Sequence, residues 1–503
     1  MGYILTIDKG TTVVKSVLFD ENGKEYAVER RDEATQHPRP GWHEEHTENA
    51  WALTAELIQK VISSSGVAPE EIIAVGVTTH MGGLILLDEA MQPVYNNVLW
   101  DDSRAAGIVD EWAESGVLDE LVAEGGQAIL AGLTVPLLRW FERNESEVLK
   151  RAAKLCNTKD YIVLRLTGSL GTDESDAGWM PSDVKLRGYS PRVWELAGVE
   201  QYASLFPPIR KSTEVVGGVL PEIAQQLGLR EGTPVVAGIG DANASTIGVG
   251  VIHPGQGVSI VGTSLLNNII TQQAMLEPVG LGFVIPTVND FWMRMLPNTG
   301  GGSINLRWLV DLAYRDLPNP YDVLDAEAGG VDPGALGVFY HPYISNAGVV
   351  APFYHLGARA QFTGLHSGVG RAELARAVIE GLAFSIRDCF EACPEALSEV
   401  RLSGGSARSA VLCQTVADVL GKPVILTTGE EAAARGVAIV AATGARVFDS
   451  LEEATERFVR VRQVYEPDLP SCQAYTERFE LFQQIRNSMM PIWTARQKFE
   501  RAS

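Results

Sequence analysis

The sequence predicts an α/β fold of two domains that hold a ligand between them. Extended segments rich in Val, Ile and Phe alternate with stretches of helical periodicity along the whole chain. The 503 residues exceed the length at which a single hydrophobic core usually divides. Two similar turns, GTT at 10–12 and GTS at 262–264, each lie between two apolar runs, one turn in each half. Such turns favour a duplicated architecture with the ligand in an interlobe cleft.

The first half opens with extended segments at 3–8, 13–20 and 24–30. Val, Ile and Thr favour extended backbone there, and Gly10 permits a tight reversal, so we expect a hairpin. Periodicity predicts these further elements: a helix over 47–64, a strand over 72–78, helices over 103–114, 134–144 and 146–153, a loop over 204–220 and a strand over 234–239.

The second half repeats the strand–turn–strand pattern over 255–271. Helical periodicity follows over 371–395, 407–420 and 430–443. The tail over 450–463 and 471–499 is charged and amphipathic, so we expect a pair of surface helices there.

Composition excludes several classes of partner. The formal net charge of −22 argues against nucleic acid, because binding by counterion release needs clustered Lys and Arg. The sequence shows neither a secretory signal nor an apolar run long enough to span a membrane. Five scattered cysteines fit a reducing cytoplasm. Cys389 and Cys393 share a helix face, which permits a metal or redox pair but favours two ordinary buried thiols.

Two acidic residues stand where strands end at glycine-rich turns. Asp8 precedes the first turn, whose amide groups are suited to hold an anion. Asp241 follows a buried strand and a Gly238-x-Gly240 run, which would leave room for a substrate. One carboxylate can hold Mg²⁺ through water, and the other can accept a proton from a hydroxyl that attacks a phosphate. The alternative for Asp241 is a structural acid that caps a helix over 242–249.

The segment His43-Glu44-Glu45-His46 combines residue types that bind metals. It lacks the helical H-E-x-x-H spacing and follows Pro40-Gly41. A solvated, charged loop is therefore the favoured interpretation.

Several separated motifs occur in a consistent order: Asp8-x-Gly10-Thr11-Thr12-x-x-Lys15, Pro40-Gly41-Trp42-x-Glu44, Trp100-x-Asp102-x-Arg104, Lys159-Asp160-Tyr161, Gly240-Asp241, Gly262-Thr263-Ser264, Ala377-Val378-Ile379-Glu380-Gly381, Gly404-Gly405 and Ala432-Ala433-Ala434-Arg435-Gly436. Over nearly the whole chain they resemble the FGGY carbohydrate kinases of the actin-like ATPase fold. The resemblance implies two actin-like ATPase (ribonuclease H-like) domains with an active site between them. It implies an N-terminal domain over 1–247, a C-terminal domain over 248–449 and a helical tail over 450–503.

By the same resemblance, the chain is expected to phosphorylate a hydroxyl of a small sugar or sugar alcohol, with Mg²⁺ and ATP as cofactors. Asp241 would be the general base, and a homodimer is common among such kinases. The implied contacts are Asp8 and Asp241 for the metal; Gly10, Thr11, Thr12, Lys15, Gly262 and Thr263 for the ATP phosphates; Ser303, Arg307, Gly404, Gly405 and Ser409 for adenosine; and His80, Met81, Gly82, Trp100, Asp102, Arg104 and Asp241 for the substrate.

Some of these residues keep an alternative interpretation. Lys15 either contacts phosphate or points outward along its strand, Trp100 is either a sugar platform or core, and His80 is either a donor or structural. Ser409 stands where relatives often carry Asn, so it would reach adenine only through water.

The chain departs from the family pattern at two places. Thr79-His80-Met81-Gly82-Gly83 replaces the Gln-Met-His-Gly string of ketopentose kinases, and Val349-Val350 stand in place of a Glu-Arg pair before Pro352. The acceptor therefore stays open. Two other functions remain as hypotheses: a kinase of a non-sugar hydroxyl compound, and a non-catalytic, nucleotide-dependent sensor of the same fold.

Overall fold

A computed structural model describes residues 2–346 and 348–500, without the side chain of residue 500. Those parts of the predicted domains that fall on residues 1, 347 and 501–503 lie outside the described residues. Within the described ranges, no helix is both long enough and apolar enough to cross a membrane.

The strands of the first half are short except around the opening hairpin. Their bounds are Tyr3–Lys9 (β1), Val13–Asp20 (β2), Glu25–Asp32 (β3), Glu44–Glu45 (β4), Ile72–Thr79 (β5), Ile85–Leu87 (β6), Asn97–Val98 (β7), Lys154–Cys156 (β8), Thr172–Asp173 (β9), Ser182–Asp183 (β10), Gly188–Tyr189 (β11), Ile209–Arg210 (β12), Val215–Gly218 (β13) and Pro234–Val236 (β14). Those of the second half are Gln256–Val261 (β15), Leu265–Thr271 (β16), Phe283–Pro286 (β17), Trp292–Asn298 (β18), Phe339–His341 (β19), Gln361–Thr363 (β20), Glu399–Ser403 (β21), Val424–Thr427 (β22) and Val461–Tyr465 (β23).

Helices separate these strands throughout the chain. Their bounds are Thr47–Ser65 (α1), Ala106–Ser115 (α2), Val117–Gly125 (α3), Thr134–Asn144 (α4), Ser146–Arg151 (α5), Thr158–Thr167 (α6), Glu174–Ala177 (α7), Pro191–Ala197 (α8), Pro221–Leu227 (α9), Asp241–Gly248 (α10), Ile304–Ala313 (α11), Pro320–Gly329 (α12), Arg371–Glu391 (α13), Ala410–Leu420 (α14), Ala432–Gly444 (α15), Leu451–Phe458 (α16) and Leu469–Glu500 (α17).

Two large sheets repeat one topology. The first has the order β13-β14-β5-β1-β2-β3, and the second has the order β17-β18-β16-β15-β21-β22-β23. In the first sheet β1, β2 and β3 form an antiparallel meander, while β1, β5 and β14 are parallel. In the second sheet β15, β16 and β18 form the meander, while β15, β21 and β22 are parallel. The predicted duplication is thus present in the strand order.

Helices cover both sheets and position their turns. One core joins α1 to the first sheet, and another joins α13 and α14 to the second. Helix α15 packs against β1 and β5 of the first sheet and against α10. Consequently, a helix from late in the chain supports the sheet that the earliest strands form.

The tail differs from its prediction. Residues 461–465 form β23, which pairs antiparallel with β22 at the edge of the second sheet. Helix α17 buries Tyr475, Phe479, Phe482 and Trp493. Both predicted tail helices occur, as α16 and α17, but the first ends at Phe458 and the aromatic side chains of α17 complete the core around α13 and cover the loop at 349–358.

Candidate active site

Asp8 lies at the end of β1, where the first predicted turn begins. The register pairs it with Lys15 on β2 and with Thr78 on β5, so Asp8 and Lys15 share a face of the sheet. The Gly10 amide donates to the Val13 carbonyl at 3.0 Å and closes the turn. A Cβ atom at Gly10 would approach only the Val13 oxygen, at 3.3 Å, so the other side of the turn is open to a ligand.

The second turn lies between β15 and β16 and has the same open character. A Cβ atom at Gly262 would meet only the Ser264 oxygen, at 3.7 Å. The carbonyl of Gly262 accepts a hydrogen bond from the Ser303 amide at 2.7 Å. This bond places the turn beside the start of α11, next to the residues expected to hold the nucleoside.

Asp241 begins α10, directly after the extended residue Gly240. Its Oδ1 atom accepts from the Ala242 amide at 2.7 Å. Burial raises the pKa of Asp241 to about 7, and the negative charge of Asp8 adds to this shift. A carboxylate with this pKa is suited to take a proton from a hydroxyl near neutral pH.

The pKa of Asp8 is also raised, but a neighbouring positive charge offsets part of the shift. Burial raises its pKa to about 6 while the positive charge of Lys15 opposes the shift. The Lys15 ammonium lies 3.7 Å from Asp8 Oδ2 but donates to Glu431 Oε2 at 2.6 Å. The outward alternative for Lys15 is wrong, since its ammonium is on the Asp8 face; its phosphate contact stays a prediction.

Asp8 and Asp241 are the two carboxylates that could hold a magnesium ion. They repel each other electrostatically, and the described residues contain no group of three or more His, Cys, Asp or Glu suited to a metal. Mg²⁺ keeps several waters and takes one or two protein carboxylates, so a pair is a sufficient donor set. Asp8 and Asp241 would be its protein ligands.

The glycines before Asp241 have a different role from the predicted one. A Cβ atom at Gly240 would lie 2.2 Å from Met81 Sδ, and one at Gly238 would lie 2.1 Å from the Val77 oxygen. Gly238 also has a φ of +81°. These positions therefore need glycine for close packing against β5 and Met81, and the prediction that they leave room for substrate is wrong.

Trp100 bridges the substrate side and the first phosphate turn. It is 39% exposed, and its Nε1 atom donates to Thr11 Oγ1 at 3.0 Å. The core alternative for Trp100 is thus wrong. Gly82 has a φ of +81°, and a Cβ atom there would lie 3.1 Å from Leu133 and 3.3 Å from Trp100. Glycine is required at that position by backbone conformation as well as by space.

His80 and Met81 are both buried. His80 Nε2 lies 3.3 Å from Thr158 Oγ1, and its Nδ1 has no hydrogen-bond partner among the residues that the structure describes. Burial, aided by the charge of Lys9, lowers the pKa of His80 to about 3, so the ring is neutral.

Asp102 and Arg104 form a buried ion pair. Arg104 Nη2 lies 2.8 Å from Asp102 Oδ2 and 2.6 Å from Glu44 Oε1, while the guanidinium stacks 4.0 Å from the centre of the Trp42 ring. The side chains of Asp102 and Arg104 have no exposed surface. Both side chains are engaged in this buried pair, and their contact with substrate stays a prediction.

The segment at 43–46 is largely buried, which overturns the solvated-loop interpretation. Glu44 and Glu45 form β4, and Glu45 Oε2 accepts from the buried Lys9 ammonium at 2.7 Å. His43 Nδ1 lies 2.7 Å from Asp101 Oδ1. The buried ion pairs of Lys9 and the two glutamates were not predicted, because a charged pair after Pro-Gly usually indicates exposure.

A cavity of about 410 Å³ brings together four of the five residues predicted for adenosine, Ser303, Arg307, Gly405 and Ser409. The fifth, Gly404, has a φ of +90°, and a Cβ atom there would meet the Val261 oxygen at 2.7 Å. Gly405 faces open space. A flat base can therefore approach the backbone at Gly405, while Gly404 permits the close contact with β15.

The Ser409 hydroxyl is already engaged in this cavity. It accepts from the Leu412 amide at 2.9 Å as the N-cap of α14, and it donates to Asp325. Asp325 also lines the cavity and was missed by the sequence reasoning. No local signal marks it, because it belongs to the regular surface of α12.

Cys389 and Cys393 were considered as a metal-binding or redox pair. Cys389 and Cys393 are both free and buried. Burial raises the pKa of both thiols. They accordingly fit the interpretation of ordinary core cysteines.

Comparison with known proteins agrees with this geometry. Residues 3–248 match the N-terminal domain of the FGGY family of carbohydrate kinases, and residues 257–445 match its C-terminal domain. Xylulose kinase of Bacillus subtilis (strain 168) is 29% identical, with 100% of both chains covered. Erythritol kinase of Brucella abortus (strain 2308) is 29% identical, with 97% of both chains covered.

A solved structure extends the similarity to the fold. Gluconate kinase from Lactobacillus acidophilus superposes with a TM-score of 0.89 at 25% identity, covering 98% of this chain and 99% of that one. The predicted fold class is confirmed by this superposition along both chains. The three similar proteins are named for three different compounds, so the acceptor must be inferred from other evidence.

Proposed function

The chain belongs to the FGGY family of carbohydrate kinases, and we propose that it transfers the γ-phosphoryl group of ATP to a hydroxyl of a small sugar or sugar alcohol with Asp241 as general base. The observation that carries this proposal is the pairing of Asp241 with Asp8 beside an open, glycine-containing turn. Phosphoryl transfer needs little beyond positioned groups and charge stabilisation, which this arrangement supplies.

Asp241 removes the proton of the attacking hydroxyl. Its pKa of about 7 in the metal-free chain makes Asp241 a stronger base than an ordinary carboxylate. The short bond from the Ala242 amide fixes Oδ1, so Oδ2 is the oxygen with freedom to face the substrate. Trp100 offers a partly exposed ring beside Thr11, suited to cover the carbon-bound hydrogens of a small polyol.

The nucleotide is held by residues of both sheets. The turns at 10–12 and 262–264 direct backbone amides and hydroxyls at the phosphates, and the cavity near Gly405 receives adenosine. Mg²⁺, when bound to Asp8 and Asp241, would screen the negative charge of the phosphates. The domain limits 1–247, 248–449 and 450–503 and a homodimer remain parts of this proposal.

Replacement of Asp241 by Asn tests the assignment. We expect kcat for the best acceptor to fall by about 10²–10⁴-fold, because the neutral amide cannot take the proton. Binding of a non-hydrolysable ATP analogue, measured by calorimetry, should persist, since the cavity residues are unchanged. Asp110→Asn, the same change on the exposed surface of α2, is the control and should keep full activity. Retained turnover in Asp241→Asn would reject the role of the base.

The acceptor is identified by a panel of tetritols, pentitols, ketopentoses and ketohexoses. ATP consumption is measured with each compound, using the wild-type chain and Asp241→Asn side by side. We expect at least one member to stimulate ATP consumption in the wild type only. Stimulation by no member, together with firm nucleotide binding, would reject the sugar-kinase proposal in favour of a sensor.

A further inference from the structure

A fully buried charge cluster lies behind the turn that leads into Asp241. The Lys159 ammonium is 2.7 Å from Asp160, 3.2 Å from Asp173 and 3.3 Å from Asp176, all between carboxylate oxygens and Nζ. All four side chains are without exposed surface. They come from α6, from β9 and from α7, which the chain brings together behind β14.

The cluster holds both ends of the turn at 237–240. Lys159 Nζ donates to the Ala237 carbonyl at 3.2 Å, at the end of β14. The Gly240 amide donates to Ser175 Oγ at 2.9 Å, and the Ser175 hydroxyl donates in turn to Asp173 Oδ2 at 2.7 Å. The chain of contacts therefore runs from Lys159 through Asp173 and Ser175 to the residue that precedes Asp241.

We propose that Ser175 is a positioning residue for the Asp241 carboxylate. Gly240 is the N-cap of α10, so the orientation of its peptide sets the direction in which the first helical residue projects. Ser175 fixes that peptide by accepting its N–H, and Asp173 fixes Ser175. This inference rests on the proposed function of Asp241 as general base.

A purely stabilising role is a poor explanation of the cluster. Buried ion pairs add little stability over apolar side chains of similar volume, because charges lose hydration on burial. Here three carboxylates surround one ammonium, so one positive charge must offset the lost hydration of several acidic groups. What an apolar replacement would lack is a directional acceptor for the Gly240 amide, and Ser175 supplies it.

The chain offers a matched control in Ser212. Its hydroxyl donates to the same oxygen, Asp173 Oδ2, at 2.8 Å, and both serines are buried. Only Ser175 contacts the Gly240 amide with its side chain. Ser175→Ala and Ser212→Ala therefore remove the same group from the same carboxylate but differ in their effect on the turn before Asp241.

The test compares kcat, KM and thermal unfolding of the wild type, Ser175→Ala, Ser175→Thr and Ser212→Ala with ATP and the best acceptor. We expect Ser175→Ala to lower kcat by about 10–100-fold with KM for both substrates nearly unchanged, because a small displacement of a base slows chemistry without removing binding contacts. Ser212→Ala should keep kcat within about twofold, and Ser175→Thr, which retains the hydroxyl, should recover most of the loss. Equal kcat in the two alanine variants, or no recovery with Thr, would overturn the proposal.

A second variant and a hydrogen-exchange measurement separate loss of the Ser175 contact from failure to fold. If Ser175→Ala does not fold, Ser175→Cys replaces it, and its weaker acceptor should give an intermediate kcat; a wild-type value would overturn the proposal. Hydrogen exchange of the Gly240 amide should be faster in Ser175→Ala than in Ser212→Ala whether or not an acceptor is phosphorylated. If the wild type phosphorylates nothing but this difference is seen, the proposed function fails while the contact through Ser175 stands.

Discussion

Burial opposes the ionisation of Asp241 and Asp8, and a neighbouring negative charge adds to this effect at each, that of Asp8 at Asp241 and that of Glu431 at Asp8. Their pKa values rise to about 7 and about 6, and only Lys15 offsets part of the charge on Asp8. In the absence of metal and nucleotide, and between about pH 4 and pH 7, the folded chain therefore keeps a proton on Asp241 that the unfolded chain releases. A functional arrangement of this kind lowers the stability of the empty protein.

Asp241→Asn is expected to stabilise the metal-free chain in a pH-dependent manner. An acid whose folded pKa is raised binds its proton more tightly when folded, so stability falls as pH rises from about 4 to about 7. Asp241→Asn does not lose this stability, because the Asn side chain does not ionise. We expect its free energy of unfolding at pH 8 to exceed that of the wild type by about 1–3 kcal/mol, with no difference near pH 4. Denaturant unfolding with a chelator present measures both.

The control for this prediction is Asp110→Asn. It removes the same charge from an exposed site on α2 and should change unfolding by less than about 0.5 kcal/mol at either pH. A stability difference for Asp241→Asn that is the same at pH 4 and pH 8 would contradict the proposed origin of the shift.

Helices α10 and α15 approach so closely that only glycine fits at their contact. A Cβ atom at Gly248 would lie 1.8 Å from the Ala432 oxygen, and one at Gly436 would lie 1.8 Å from the Ala244 oxygen. The contact is reciprocal, each helix presenting one glycine to the backbone of the other. It ties α15, which covers the first sheet, to the helix that begins at Asp241.

Gly436→Ala should separate these helices and affect both stability and catalysis. The added methyl group meets backbone, which cannot rotate away, so we expect a loss of about 1–3 kcal/mol in unfolding free energy and a lower kcat. Gly107→Ala in α2 is the matched control, because outside its own helix turn no atom of the described chain lies within 4 Å of its Cβ position. It should be neutral or stabilising by up to about 1 kcal/mol. Equal effects of the two substitutions on unfolding would contradict the close contact.

Elements with local signals were predictable from the sequence, and those that depend on distant partners were not. The opening hairpin follows from apolar runs around Gly10, and its strands occur at Tyr3–Lys9 and Val13–Asp20. The burial of Glu44 and Glu45 could not be predicted, because it depends on Arg104 and Lys9, which lie 60 and 36 residues away. A buried charge is tolerated only with such a partner, and pairing over that distance leaves no mark in either segment.

In the candidate site, too, features with local sequence signals were predictable and contacts between distant residues were not. The turns and Asp241 could be located by their glycine and acid patterns. Ser303 and Ser409, both predicted for adenosine, line one cavity. The engagement of the Ser409 hydroxyl by Asp325 could not be foreseen, since the two residues are 84 positions apart. The strand at 461–465 was missed because its side chains are mostly exposed, and its pairing with β22 rather than its own pattern makes it a strand.

At the scale of the whole molecule, the proposed site draws on two sheets of one topology. In this proposal the first sheet contributes Asp8 and the turn at 10–12, and the second contributes the turn at 262–264 and the cavity near Gly405. A site divided in this way is completed when its two halves close on both substrates. Closure also excludes water, which would otherwise compete with the acceptor hydroxyl for the γ-phosphate.

An acceptor analogue without the reactive hydroxyl is therefore expected to raise ATP hydrolysis. It would promote closure while leaving space for a water molecule beside Asp241, which would activate that water instead. We expect a rate increase of about tenfold, equivalent to about 1.4 kcal/mol in the barrier. Phosphate release is measured with and without the analogue, and calorimetry establishes that the analogue binds. The same analogue should give no increase with Asp241→Asn, because the base is missing. An analogue that binds without raising hydrolysis in the wild type would show that the acceptor does not control the access of water to the phosphate.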